Sequence, residues 1–344
     1  MGLRIAEQFG MFGAFAFDRG ELRGAFVEAR IEEATGTIRN LTVAKPFGTV
    51  EVFRVITMAP TAVGVAAVNG PAFSFRSVYV AISLHNNPTV ALVHRALATD
   101  LTVSYEVASG VSIIHEGQSV YVSGGGLRGR IALLGSGAVD ALGSTVTVSL
   151  QAGATVGFRV MLVEGEGPTG SRDQAAIQEA FARGVVAAES FLISLEGAIL
   201  SDDAVYLDVS VSAFQLRPGA VQITISSDLP SGRSFVVYLS QETLAGRHQE
   251  PLIVEFDGAR IPETPSADDA LAAGPARFHA TASDRGVIFA AFIPSFSTHT
   301  LLIQVPELLP LFPRDALGLA TVAIAIAVVS AAVVLALRRS RQKW

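Results

Sequence analysis

The chain has 344 residues, half of them hydrophobic and 16% charged, with 32 glycines, 15 prolines and no cysteine. It is too apolar for a disordered chain, and the lack of cysteine excludes a disulfide framework, a thiolate metal site and a cysteine nucleophile. The formal charge is −6; Arg338, Arg339, Arg341 and Lys343 close the chain, leaving 21 basic against 31 acidic residues before them, a balance that argues against nucleic acid as a partner.

Apolar stretches recur with turn residues between them at the spacing of β-sandwiches. Gly10–Phe17, Glu21–Ile31, Gly36–Val43 and Val50–Met58 read as one meander, followed by strands at Ser77–Leu84 and Thr89–Leu97. Together they make a β-rich N-terminal domain over 1–98. A second β domain, 99–166, has strands at Leu101–Val107, Gly110–His115, Gln118–Val122, Gly129–Leu134, Thr145–Leu150 and Thr155–Val163.

A connector, 167–204, holds the one good soluble helix. Ser171 or Asp173 caps it, Ala176, Ile177, Ala180 and Phe181 form its apolar face, and Gly184 ends it. A membrane-proximal sandwich, 205–305, follows. Its strands fall near Val205–Val211, Val221–Ser226, Ser234–Leu239, Pro251–Phe256, Val287–Phe292 and His299–Val305, with a short helical turn over Ser266–Ala273 capped by Ser266. Both helices are expected to cap the sandwiches. Tyr206–Val209 lines up with Ser104–Val107 at an offset of 102 residues, and the turns after them align too. Either tandem related sandwiches or the common grammar of hairpins produces such a match.

After a Pro-bounded spacer, 306–315, the 22 residues from Ala316 to Leu337 carry no charge. As a helix they span about 33 Å, enough for a hydrocarbon core of about 30 Å. A transmembrane helix over 316–337 and a basic tail over 338–344 are therefore expected. With Arg338, Arg339 and Arg341 behind the span, the positive-inside rule places the tail in the cytoplasm and residues 1–315 outside. The bilayer is then the first partner, with other envelope or membrane proteins as further ones. Ala14-Phe15-Ala16 fits a leader-cleavage pattern, but the apolar stretch before it is short, and Phe9–Phe17 reads better as a first strand. Export then requires a leader upstream of Met1. The alternative is a tail-anchored protein whose domain stays in the cytoplasm.

Catalytic motifs are hard to find. Gly124–Gly129 matches G-x-G-x-x-G but joins two strands, so it reads as a turn. Gly165–Gly170 also matches and precedes a helix, with Glu189 downstream. There Glu166 puts negative charge where phosphates would sit and Pro168 removes a backbone donor, so no nucleotide is expected. His85, His94, His115, His248, His279 and His299 show no metal-ligand spacing, and no nucleophile elbow occurs. No catalytic residue, metal or cofactor is assigned. Asp202-Asp203 and Asp268-Asp269 are placed at element starts, where acidic residues favour a helix or turn. Asn40 heads the one glycosylation sequon, Asn40-Leu41-Thr42.

Val254–Arg260, the apolar run Val287–Ile293 and the turn Pro294-Ser295-Phe296-Ser297-Thr298-His299-Thr300 lead to a last strand just before the apolar segment. This arrangement resembles the ends of archaeal membrane-anchored cell-surface proteins. The resemblance covers roughly the last 90 residues and implies an envelope β-sandwich near a membrane, with no catalytic residues to carry over. The fold class expected is mainly β: tandem antiparallel sandwich-like domains, one short soluble helix and a C-terminal span. The role expected is structural or adhesive. A ligand-binding or accessory subunit of a membrane complex is the alternative, and an envelope enzyme ranks behind both. A concave polar pocket would favour binding, and flat faces a structural role.

Overall fold

The computed structural model describes residues 10–45, 48–161, 168–283, 285–295 and 297–306. The expected span 316–337, the tail 338–344 and most of the spacer lie outside them. Among the described residues no helix is long and apolar enough to cross a membrane.

The protein is mainly β, as its sequence leads one to expect, but the strands are shared differently. The first sheet opens with β1 (Ala16–Asp18), β2 (Glu21–Arg23), β3 (Val27–Glu32), β4 (Thr37–Lys45) and β5 (Gly48–Ala59). It continues through β10 (Leu101–Val107) and β15 (Thr145–Leu150) to its edge at β14 (Gly137–Leu142). The second sheet runs from β11 (Ser112–Glu116) through β12 (Ser119–Gly124), β13 (Leu127–Leu134) and β16 (Thr155–Val160). It then adds β9 (Leu92–Ala96), β8 (Val80–His85), β7 (Ala72–Arg76) and an edge at β6 (Val65–Asn69).

The described strands of segments 1–98 and 99–166 thus fill the same two sheets and share one core. The bend at residues 98 and 99 is no domain boundary; it carries the chain from the second sheet back to the first. A turn signal does not reveal which sheet the next strand joins.

The second sandwich has two five-stranded sheets. The third sheet orders β18 (Ala198–Val205), β17 (Val186–Leu195), β21 (Arg233–Ser240), β25 (Gly286–Ile293) and β24 (Arg277–Ser283). The fourth orders β19 (Val209–Arg217), β20 (Ala220–Ser227), β26 (Thr298–Gln304), β22 (Ile253–Phe256) and β23 (Ala259–Arg260). The ladders are antiparallel except for β17 with β21. The expected connector is therefore half strand. Residues 206–208 form a corner between β18 and β19 rather than a strand, so they do not correspond to Ser104–Val107 inside β10.

Helix α1 (Pro168–Ala182) uses the predicted apolar face, and Ala176, Ile177, Ala180 and Phe181 are all buried. It does not cap a sandwich end. With α2 (Ala267–Leu271) it fills the space between the second and third sheets, against Val93, Ala132 and Leu134 on one side and Phe191, Val236 and Ile288 on the other. Gly157 on β16 permits this, because a Cβ there would sit 2.9 Å from the Phe181 ring. Met11 and Phe12 are buried in the same layer, so the start of the expected first strand is a wedge, and only Ala16–Asp18 pairs. Ser266 caps α2 as predicted, its side chain accepting from the Asp269 amide.

This stacking explains the composition. The second and third sheets are covered on both faces, so β16 and β25 are buried at every residue, and β17 and β21 nearly so. Such strands read as unbroken apolar runs. In β10, by contrast, buried and part-exposed residues alternate, as expected of a strand open on one side.

Candidate functional site

Between the two sandwiches, strand ends, the β11–β12 turn and the C-terminal end of α1 enclose a groove of about 1000 Å³. Its floor is Arg130 on β13, whose side chain is 4% exposed. The guanidinium lies 4.3 Å from the centre of the Tyr121 ring and donates to Ser119 Oγ at 2.8 Å, to Glu179 Oε2 at 2.6 Å and to Glu116 Oε2 at 3.4 Å. Fully engaged, Arg130 is a fixed positive charge. Arg95 at the end of β9 reaches the highly exposed Asp208 at 3.1 Å. Arg183 follows the last turn of α1 and is exposed where it lines the groove. Arg233 starts β21; it donates to Ser231 and to the Gly232 carbonyl, and its Nε is buried without an acceptor.

Four arginines therefore meet three carboxylates here, Glu116, Glu179 and Asp208, in a chain whose acidic residues outnumber its basic ones. Among the described residues no aromatic side chain lines the groove, while Gly117, Gly135, Gly153 and Gly184 bring backbone to its surface. The arrangement suits oxyanions, which planar guanidinium forks bind in pairs of hydrogen bonds. It does not suit the stacking of bases or sugar rings. Glu116 and Glu179 both accept from Arg130, so neither stands as a lone acid or base facing the groove.

Three further polar clusters lie nearby, two joining the sandwiches and one joining α1 to the third sheet. Arg159 on β16 and Glu189 on β17 are both fully buried and paired at 2.5 Å. Arg159 also donates to Gln178 at 2.5 Å and to the Tyr238 hydroxyl at 2.9 Å, and Tyr206 donates to Glu189 at 3.1 Å. Burial disfavours the charge on Arg159, but Glu189 beside it outweighs this and holds the guanidinium protonated. Burial, with Glu189 nearby, pushes the Tyr206 hydroxyl well above its usual range. Glu189, the acid downstream of the second glycine motif, is thus committed to an internal ion pair. The second cluster is Asp202, which accepts from His85 Nδ1 at 2.7 Å and from Asn87 at 2.8 Å. Asp202-Asp203 lies inside β18, not at an element start: the first sandwich supplies the partners of Asp202, and Ser201 bonds Asp203.

The third cluster joins Asp173 on α1 to His279 and Thr281 on β24. His279 Nδ1 donates to the Thr264 carbonyl at 2.9 Å, and Nε2 faces Asp173 at 3.2 Å and Thr281 at 3.0 Å. Thr281 donates to Asp173. Both the carboxylate and the hydroxyl sit at Nε2, whereas a nucleophile relay needs them on opposite ring nitrogens. The cluster is a latch between α1 and the third sheet.

The Asp173 hydrogen bond raises the His279 pKa above its ordinary 6.5, against the effect of burial. The Asp173 pKa is lowered: burial would raise it, and the bonds from His279 and Thr281 prevail. The latch therefore stabilises fully below about pH 6.5 on the histidine side, and that part is lost as pH rises through the higher folded value. The aspartate part is present above about pH 4 and is lost on acidification. Thermal unfolding midpoints of the wild type are expected to fall as pH rises from 6 to 9, and His279→Gln is expected to flatten that slope. An unchanged slope in the variant would show that another group carries it.

The remaining histidines are scattered. His94 is sealed in the first core beside Tyr105, where burial pushes it down to about 3. His115 bonds the Gly117 carbonyl in an exposed hairpin, His248 has its Nδ1 buried without a partner, and His299 pairs with Asp257 at 2.7 Å. Among the described residues no group of three His, Asp or Glu is placed to hold a metal ion. Gly125 and Gly126, at φ 56° and 75°, form the tight turn read from the sequence. Asn40 is exposed on β4 at φ 51°, where the register with β5 shifts just beyond it. None of the four groove arginines was read from the sequence as a site residue, since their segments lie far apart and converge only through the stacking of the two sandwiches.

No family model matches the chain, and neither does any curated protein. Among solved structures it is similar to a mutant of glycoside hydrolase family 81 from Clostridium thermocellum, at 10% identity and a TM-score of 0.37. The match covers 88% of this chain and 37% of that one. A likeness of that size carries no argument about fold or chemistry.

Proposed function

We propose that this chain is a non-catalytic binding protein of the cell envelope, held to a membrane by its C-terminal apolar segment. Its ligand is an acidic polysaccharide bound in the groove between the sandwiches. One observation carries the reading: in an otherwise acidic body, a groove of about 1000 Å³ gathers four arginines against three carboxylates and, among the described residues, presents no aromatic surface. A concave site with converging polar groups favours binding over a purely structural role. Carboxylates or sulfates along a sugar chain match the guanidinium forks, and sugar hydroxyls match the backbone exposed at the glycines.

Isothermal titration of full-length protein in mild detergent with a uronic-acid oligosaccharide tests this. Binding that weakens as salt rises is expected, with a neutral oligosaccharide of equal length inert. Arg183 is exposed at the end of α1, so Arg183→Glu is expected to weaken binding at least tenfold without changing the melting temperature. Equal binding of neutral and charged oligosaccharides, or no binding of either, would overturn the proposal.

A further inference from the structure

We infer that Arg95 reads the anionic group of the ligand, and that Asp208 stands in for that group until the ligand arrives. This rests on the groove binding an anionic chain, as proposed above. A guanidinium has five N–H donors, so the four arginines separate by the donors each has left. Arg130 has none: two go to Ser119, and the others go to Tyr121, Glu179 and Glu116. At Arg233 one nitrogen donates to Ser231 and the Gly232 carbonyl, and Nε is buried out of a ligand's reach.

Arg95 and Arg183 differ. Among the described residues the Arg183 side chain has no partner, and Arg95 makes a single contact, from Nη1 to Asp208 Oδ1 at 3.1 Å. The two border one stretch of the groove. Arg95 pairs with Thr155 and Thr155 with Leu134, and a Cβ on Gly184 would sit 3.6 Å from the Leu134 side chain. Two strand spacings, roughly 10 Å, thus separate Arg95 from the strand beside Arg183.

Asp208 offers Arg95 the same carboxylate that a uronic acid would, and offers it loosely. Its side chain is 89% exposed, and the pair crosses from the corner between β18 and β19 to β9 on the other sandwich. The corner is held through its backbone, where the Asp208 carbonyl accepts from Ser227 Oγ at 2.5 Å. The carboxylate can therefore swing away while the corner stays in place. An exposed ion pair of this kind contributes little to stability, and its single contact leaves the second arm of the guanidinium fork empty. A ligand carboxylate that fills both arms displaces it. Glu179 is not displaced in this way, because its loss would take a charged partner from the nearly buried Arg130. A small single anion gains too little at Arg95 to make the exchange, whereas a chain that also holds Arg183 gains at two points. Asp208 thus sets a threshold that only a polyanion passes.

Isothermal titration of full-length protein in mild detergent with the uronic-acid oligosaccharide tests this on four chains: wild type, Asp208→Asn, Arg95→Gln and the double variant. Asp208→Asn is expected to bind roughly fivefold tighter than wild type, with an unchanged melting temperature. Arg95→Gln is expected to bind about tenfold more weakly, and adding Asp208→Asn to it is expected to bring no gain. An equal gain in both backgrounds would make Asp208 a general repulsive charge, and no gain in either would make it a bystander. Each of those results overturns the inference while the groove reading stands. If the wild type binds no oligosaccharide, the groove reading falls, and inorganic sulfate decides the inference alone. Sulfate is then expected to raise the melting temperature of Asp208→Asn more than that of the wild type, and equal rises would overturn the inference.

Discussion

Glu189→Leu is expected to destabilise the folded chain by about 3–5 kcal/mol, because it strands the Arg159 guanidinium in a fully buried site. Gln178 and Tyr238 would still accept from it, but neither supplies negative charge. Arg159→Met should cost a similar amount by leaving the carboxylate alone. The two substitutions together are expected to recover most of the loss, since a well-packed apolar pair often matches a buried ion pair in stability. Urea unfolding followed by circular dichroism measures all three, and the double-mutant cycle isolates the coupling. If the double variant loses as much as the two single losses combined, the pair is not the unit. Tyr206, Gln174 and Gln178 would then carry the stability as a network.

The second large effect is expected at Phe181. Phe181→Ala should cost about 3–5 kcal/mol, since the ring is fully buried, packs edge-on at 4.9 Å from Tyr206 and lies over Gly157. The cavity would open in the layer that joins the second sheet to the third. Phe214→Ala serves as the control. That side chain is 45% exposed on the fourth sheet, and its loss should stay below about 1 kcal/mol. Denaturant midpoints at constant m-value make the comparison. A small loss at Phe181 would mean that the polar clusters, not the apolar layer, unite the sandwiches.

Strand content was legible because alternation and turn residues are local properties. β10 and β15 run over the residues read from the sequence. The α1 apolar face was legible for the same reason, as a period of 3.6 over Ala176–Phe181. The weak signals failed. β6 is short and Ala-rich, so its alternation barely registers; β7 alternates over Phe73–Arg76 but is only five residues long; and the acidic pair in β18 resembled a loop. Sheet membership was not legible at all, because a chain can pass its bend at residues 98 and 99 into either sheet.

The site was hidden more deeply, since Arg95, Arg130, Arg183 and Arg233 share no motif. One trace was present: Arg159 is the only charge in Thr155–Val160, and Glu189 the only one in Val186–Leu195. A lone opposite charge in each of two unbroken apolar runs is a pairing signal, because neither can be buried alone.

The position of β26 has a mechanical consequence. It is the last described strand, yet it lies inside the fourth sheet, with β20 along one side and β22 along the other. A load applied beyond Val305 would pull β26 lengthwise from between two neighbours, so its ladder bonds on both sides would resist together in shear. An outermost strand would peel away one bond at a time. A protein held at that end and gripping its ligand in the groove would meet tension with both ladders at once.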